Sequence, residues 1–184
     1  MRILAISGSL RNGSYNTGLL RAAQESAPDG VEVHLYEGLA HLPPYDQDVQ
    51  DHEPPAAVRD LRERIAAADA VLIATPEYNR SIPGVLKNAI DWASRPFPDN
   101  AIRGRPVAIV GASTGSYGAL WAQMELRKVL GIAGARVLEG ELPVPRAHER
   151  FDEEGRLLDD MLRERLAGVV ERLAEEAGIL LAAA

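Results

Sequence analysis

Predicted strands and helices alternate along the chain, and this alternation limits the possible folds more than any other feature of the sequence. Five segments are predicted as strands: 3–7, 31–36, 70–75, 106–113 and 135–142. The first, third and fourth are almost entirely apolar, whereas the second and fifth mix polar with apolar residues. Strands that are apolar on both faces belong in the middle of a parallel sheet covered by helices, and mixed strands suit its edges.

Apolar residues at helical spacing predict five helices between and after these strands. Helix by helix, the residues that mark them are Leu19, Leu20, Ala23 and Ala27; Val58, Leu61 and Ile65; Val85, Leu86, Ala89, Ile90 and Ala93; Leu120, Met124 and Val129; and Leu158, Leu162, Leu166, Val169 and Leu173. Strand–helix alternation produces right-handed crossovers and a doubly wound sheet. The sequence therefore predicts an α/β fold, a flavodoxin-like three-layer sandwich whose five-stranded parallel sheet has the order 2-1-3-4-5 and helices on both faces.

The 184 residues are predicted to form one domain, residues 1–184, with a C-terminal tail from about 178 to 184. The stretch 38–55 is rich in Pro, Asp and His and is expected to be a long surface connection. Its histidines and carboxylates lack the spacing of a known metal motif, so we expect no metal site there.

Composition excludes several classes of protein. The net charge of −7 argues against a general binder of nucleic acid or of anionic membranes. The chain has no cysteine, which removes disulfides, thiolate nucleophiles and cysteine-ligated metal centres. No apolar run approaches the roughly 18 residues that a spanning helix needs. We expect a cytoplasmic protein that binds neither nucleic acid nor membrane.

In a sheet of this order, ligands bind beyond the carboxyl ends of the strands where the order reverses. The first loop, residues 7–17, lies there and leads into a helix whose first N–H groups have no partners, which makes an anion site. Arg11 adds positive charge and a guanidinium group that can donate two hydrogen bonds to one anion. Gly8 and Gly13 have the spacing of a Walker phosphate loop, but Ser14 stands where that loop has its lysine. The dinucleotide-binding motif GxGxxG is also absent. A simple helix cap built on Ser14 or Asn16 is the alternative.

The loops after the third and fourth predicted strands complete the candidate site. Two prolines stiffen the second loop, residues 75–84, so its backbone could meet the edge of a flat heterocycle while Tyr78 offers a stacking face. The alternative is a stiff connection with a surface tyrosine. The third loop, residues 111–118, is small and polar and would let a ligand approach the backbone.

Three motifs in order resemble those of NAD(P)H-dependent FMN reductases, a flavodoxin-like group that includes bacterial quinone, chromate and azo-dye reductases. They are Gly8-Ser9-Leu10-Arg11 with Ser14 and Asn16, then Pro76-Glu77-Tyr78-Asn79, then Ser81 to Trp92. The resemblance covers nearly the whole chain. It implies an FMN phosphate on the first loop, the ring against 76–79 and the third loop closing the other side. The implied cofactor-binding residues are Ser9, Arg11, Ser14, Tyr15, Asn16, Thr17, Pro76, Glu77, Tyr78, Asn79, Ser113, Thr114 and Gly115.

The resemblance also implies an activity. A hydride would pass from NADPH or NADH to flavin N5, and then on to a quinone, free flavin, azo compound or metal oxyanion. No catalytic side chain is implied, and the four histidines are scattered along the chain. The alternative is an FMN-binding electron carrier that a protein partner reduces. Members of the group form homodimers or homotetramers, with a subunit contact near 87–92. Arg80 stands where relatives often have an aromatic or small residue.

Overall fold

A computed structural model describes residues 1–183 of the chain. The strands are β1 (Arg2–Ser7), β2 (Glu32–Tyr36), β3 (Ala70–Ala74), β4 (Pro106–Ala112), β5 (Arg136–Val137) and β6 (Leu142–Val144). The helices are α1 (Tyr15–Glu25), α2 (Gln47–His52), α3 (Ala56–Ala67), α4 (Gly84–Ala93), α5 (Leu120–Ala133) and α6 (Asp160–Ala183). The sheet is parallel in the order β2-β1-β3-β4-β5, which confirms the predicted fold class and strand order.

Two apolar layers hold the helices against the sheet. On one face, α1 and α6 pack on alternate strand residues such as Ile3 and Leu72. On the other face, α3, α4 and α5 pack on the residues in between, such as Leu4 and Ile73. Because β3 and β4 are covered on both faces, every residue in them is buried, as the apolar composition of these segments predicted.

The fifth predicted strand is divided in two. Residues 135–142 were expected to form one strand, but β5 and β6 are separate short strands that both pair with β4. Gly140 has a φ of +90°, which extended strands do not adopt. Arg127 of α5 donates to the carbonyls of Leu138 and Gly140, at 2.6 and 3.0 Å, so these carbonyls bond to a side chain where a continuous strand would direct them to a neighbouring strand.

Two predicted helix faces also need correction. Met124 was placed on the buried face of α5, but it is 55% exposed, and Gln123 beside it is fully buried. Leu158 lies before α6 and is exposed, because the Asp159 carboxylate accepts a hydrogen bond from the Leu162 amide at 3.0 Å and begins the helix after it.

The connection 38–55 is more ordered than predicted. It contains a 3₁₀ turn (Gly38–His41) and the short helix α2. The side chains of Asn88 and Trp92 both donate to the Pro43 carbonyl at 2.8 Å, which fastens the connection to α4. Trp92 is therefore a buried core residue.

At the C-terminus, the segment expected as a tail continues α6 to Ala183, and its last residue, Ala184, lies outside the described residues. None of the helices within residues 1–183 combines the length and apolar character that crossing a bilayer requires.

Candidate functional site

A cleft of about 360 Å³ opens at the carboxyl ends of β1, β3 and β4, where all three loops meet. Its lining consists of Ser9, Arg11, Ser14, Tyr15, Asn16, Pro76, Glu77, Tyr78, Ala112, Ser113 and Thr114. All but Ala112 were predicted from the sequence. The remaining predicted residues, Thr17, Asn79 and Gly115, lie outside this lining.

The first turn of α1 lines the cleft next to the first loop. Ser14 caps the helix, with its hydroxyl accepting from the Thr17 amide at 3.4 Å and its carbonyl accepting from Gly18 at 2.9 Å. The amides of Tyr15 and Asn16 belong to the first helical turn, where no intrahelical acceptor exists, and they lie at the positive end of the helix dipole. Ser14 is thus a helix cap that also lines the cleft, so capping the helix does not prevent this loop from facing a ligand.

Arg11 is held at the mouth of the cleft by aromatic contacts. Its guanidinium carbon lies 5.2 Å from the centre of the Tyr15 ring, and the Tyr15 ring lies 5.3 Å from that of Phe151. Its amide donates to the Ser9 hydroxyl at 3.3 Å. Phe151 was not foreseen, because nothing in a sequence links residue 151 to a loop near residue 11.

Asn16 supports the cleft with its side chain. The side-chain amide donates to the Ala112 carbonyl at 3.0 Å and accepts from the Ala112 amide at 2.9 Å. The side chain is buried and joins the start of α1 to the end of β4. The side-chain donor expected for a phosphate is therefore engaged elsewhere, and the Asn16 backbone amide is the group available to an anion.

Thr17 faces a different hollow on the other side of the first loop. Its hydroxyl lies 2.9 Å from that of Ser7, and the hollow also touches Arg21 and Tyr36. Burial raises the pKa of Tyr36, whose hydroxyl has no hydrogen-bond partner among the described residues. Tyr36 lines this second hollow and does not line the cleft.

The second loop reverses in a tight hairpin. The amides and carbonyls of Tyr78 and Ser81 exchange two hydrogen bonds of 3.0 Å, and Asn79 and Arg80 between them have φ values of 54° and 62°. Two consecutive positive φ angles define a type I′ turn, which suits asparagine and is unfavourable for arginine. Asn79 is therefore at the tip of the hairpin, outside the cleft, while Pro76 to Tyr78 form its wall.

The first two loops are packed tightly against each other at Gly8. Its amide donates to the Ala74 carbonyl at 2.8 Å. A Cβ atom at this position would lie 2.9 Å from Leu86 and 3.3 Å from Pro76. A larger residue would push against the buried Leu86 and against Pro76, so glycine allows the first loop to lie this close to the second.

Glu77 acts as a helix cap. Its carboxylate accepts a hydrogen bond from the Ala122 amide at 3.2 Å, in the first turn of α5. Ala119, which precedes this helix, has no side chain that can cap it. The carboxylate is thus committed to the positive end of α5 and is not arranged as a base.

The third loop is attached to the segment after β6. The Ser113 amide donates to Val144 at 3.1 Å, and the Ala147 and Arg146 amides donate to Ser113 and Gly115 at 3.0 and 3.1 Å. The Ser113 hydroxyl accepts from the Gly115 amide at 3.1 Å. These bonds hold Ser113 and Thr114 opposite Pro76 and Tyr78.

The chemistry of the cleft fits a phosphate joined to a flat ring. Helix amides, two serine hydroxyls and Arg11 supply anion donors at one end, and two stiff walls with backbone polar groups face each other at the other end. Within residues 1–183 no group of three His, Asp or Glu side chains could hold a metal ion. The arrangement is suited to binding and orienting a ligand that has an anionic group and a flat ring.

Comparisons with known proteins agree with this chemistry. The family model described as NADPH-dependent FMN reductase matches residues 1–149. An NAD(P)H-dependent FMN reductase of Pseudomonas aeruginosa is 46% identical over 174 residues, which cover 94% of this chain and 93% of that protein. A quinone reductase of Escherichia coli K12 is 45% identical over 139 residues, which cover 75% of this chain and 73% of that protein.

Among solved structures, FerB of Paracoccus denitrificans is described as a flavoenzyme NAD(P)H:(acceptor) oxidoreductase. It is 36% identical, has a TM-score of 0.85, and the match covers 96% of this chain and 97% of that chain. The family match and these relatives show that the chain belongs to the NADPH-dependent FMN reductase family.

Proposed function

We propose that this protein is an FMN-dependent NAD(P)H oxidoreductase that passes electrons from NADPH or NADH to a small-molecule acceptor. The acceptor is a quinone, a free flavin, an azo compound or a metal oxyanion. The observation that carries this proposal is the single cleft in which the anion-binding start of α1 faces a stiff, ring-sized slot. The family membership of the chain and the quinone reductase among its relatives support the same activity.

Each part of the cleft has a separate role in holding FMN, which when bound supplies the hydride-accepting and hydride-donating chemistry. Ser9, Ser14, Arg11 and the first-turn amides of α1 bind the phosphate. Pro76, Glu77 and Tyr78 orient the ring from one side, and Ser113 and Thr114 hold it from the other. The open mouth admits the nicotinamide donor and the acceptor one after the other. No side chain of the cleft is needed as an acid or base.

The proposal is tested by steady-state oxidation of NADPH and NADH with a quinone, measured while FMN is titrated into the apoprotein. The expected rate rises with FMN and saturates at one FMN per chain. A rate that is independent of FMN contradicts the cofactor assignment. A rate that stays at background with FMN bound contradicts the reductase assignment.

The second candidate is an FMN-binding electron carrier that is reduced by a protein partner. The net charge of −7 would suit docking to a basic partner. Tyr78 is the one aromatic residue among the described residues lining the second-loop wall, whereas a carrier gains from enclosing the ring between aromatics. Reduction of the bound flavin by free nicotinamide alone distinguishes the reductase from the carrier.

We further propose that the chain, a single domain over residues 1–184, works as a homodimer or homotetramer in the cytoplasm. A hollow of about 530 Å³ between α4 and α5, lined by both apolar and charged side chains, supports the assembly. Phe97 and Ile132 on its border are 67% and 73% exposed, and the Lys87–Asp91 ion pair lies beside them. Large exposed apolar side chains grouped around a hollow are typical of a protein interface.

A further inference from the structure

A cation and two aromatic rings pack against one another beside the cleft, outside the residues assigned to FMN. The guanidinium carbon of Arg80 lies 4.8 Å from the centre of the Trp121 ring, and the Tyr117 ring lies 4.4 Å from that of Trp121 at an angle of 57°. Arg80 comes from the second loop, and the two aromatic residues come from the end of the third loop and the start of α5. We refer to Arg80, Trp121 and Tyr117 as the rim cluster.

Backbone contacts set the positions of the three residues. The type I′ turn places Arg80 at a φ of 62°, a conformation that is unfavourable for a non-glycine residue, and from there its side chain reaches Trp121. The Glu77–Ala122 hydrogen bond fastens the second loop to α5 next to Trp121. The Leu120 amide donates to the Tyr117 carbonyl at 3.1 Å and fixes the position of Tyr117 relative to the helix.

The cluster has unused binding capacity. Within residues 1–183 the Arg80 side chain has no carboxylate partner and no hydrogen-bond acceptor, so its N–H groups are available to an anion while its carbon stays near the Trp121 ring. Tyr117 is 58% exposed. Tyr78, in the cleft wall two residues before Arg80, is 55% exposed. An exposed ring beside an unpaired guanidinium is suited to a ligand that carries a ring and a negative charge together.

We propose that the rim cluster is an acceptor subsite that selects planar aromatic acceptors bearing an anionic substituent. The acceptor ring stacks on the exposed tyrosines, and its sulfonate, carboxylate or enolate pairs with Arg80. This inference rests on the proposed function, because it assigns the acceptor side of that reaction. In that reaction NAD(P)H loses a hydride, and a quinone acceptor gains two electrons and two protons, one of which comes from solvent.

The test uses two acceptors that differ in charge but hardly in shape, anthraquinone-2-sulfonate and its uncharged sulfonamide. Binding to the FMN-saturated protein is followed without any nicotinamide, through quenching of tryptophan fluorescence. Trp92 is fully buried and Trp121 is partly exposed, so a quencher at the rim acts on Trp121. The chain has no cysteine, so quinones cannot add to a thiol.

The variants are Arg80→Gln and Arg172→Gln. Arg172 lies on the exposed side of α6, and its substitution changes the net charge by the same amount. We expect wild type and Arg172→Gln to bind the sulfonate about 3- to 10-fold more tightly than the sulfonamide. Arg80→Gln removes this preference and leaves sulfonamide binding unchanged. Trp121→Phe lacks the reporting tryptophan, so its binding is measured by equilibrium dialysis; it keeps a ring beside Arg80 and retains most of the preference.

Equal binding of the two acceptors to wild type would overturn the subsite. A preference that survives in Arg80→Gln would also overturn it, because another cation would then hold the anion. Turnover with NADPH is measured afterwards on the same samples. A binding preference without turnover contradicts the proposed function and leaves the subsite standing, whereas turnover without a preference removes the subsite alone.

Discussion

Asn16 lies in the cleft lining, yet its side chain is fully used by the protein itself. Replacing it with alanine leaves the buried amide and carbonyl of Ala112 without partners. We expect Asn16→Ala to lower the free energy of unfolding of the apoprotein by about 2–3 kcal/mol. Urea denaturation measures the change, and Asn12→Ala, at an exposed position of the same loop, is the control. Unchanged stability with weakened FMN binding would show that Asn16 contacts the ligand directly.

Arg11 is the side chain that supplies positive charge to the anion end of the cleft. It is exposed and is held by Tyr15, so we expect Arg11→Ala to weaken FMN binding by about 1.5 kcal/mol, or roughly tenfold in Kd. Fluorescence titration of FMN into the apoprotein measures the change. Arg11→Lys keeps the charge and should recover part of the affinity. Equal flavin affinity in wild type and Arg11→Ala would refute the phosphate assignment.

At the residue level, the local sequence predicted which side chains line the cleft where the residue type has one common role at such a position. Serines and an arginine before a helix indicated an anion site, and they do line the cleft. Side chains with two possible uses could not be resolved in this way. Whether Asn16 faces a ligand or Ala112, and whether Thr17 faces the cleft or Ser7, depends on partners that only the folded chain brings close.

The start of α5 depends on a side chain from another loop, since Ala119 cannot cap it. We expect Glu77→Ala to destabilise the protein by about 1 kcal/mol, the usual contribution of a capping carboxylate. Thermal unfolding measures this, with Glu63→Ala on the exposed part of α3 as the control.

Replacing Glu77 with glutamine distinguishes a capping role of this residue from a catalytic one. Because the carboxylate is committed to the Ala122 amide, Glu77→Gln should leave the pH profile of kcat unchanged, since glutamine can still accept this bond. A profile that loses one ionisation in Glu77→Gln would identify Glu77 as a general base.

At the level of elements, apolar composition fixed the central strands and hydrophobic spacing located the long helices. The edge of the sheet was harder to predict, because the division of strand five depends on Arg127, which reaches it from α5. The rim cluster was missed for the same reason. Arg80 and Trp121 are 41 positions apart, and no local pattern indicates that they touch.

At the scale of the whole molecule, the proposed assembly places a partner copy over the hollow bordered by Phe97 and Ile132. We expect light scattering at micromolar concentration to give a dimer or tetramer, and Ile132→Glu to shift it towards the monomer because an isolated charge would be buried. Met161→Glu, at an equally exposed position at the start of α6, is the control. A monomeric wild-type protein would contradict the assembly.

The central claim is that one cleft both holds FMN and admits nicotinamide. The most direct test is to saturate the protein with FMN, remove oxygen, and follow the visible flavin band as NADPH and then NADH are added. We predict rapid bleaching of the band, with one equivalent of nicotinamide consumed per flavin, and the faster donor identifies the preferred nucleotide. A band that persists with both nucleotides, while FMN stays bound, would contradict the account and leave the carrier in its place.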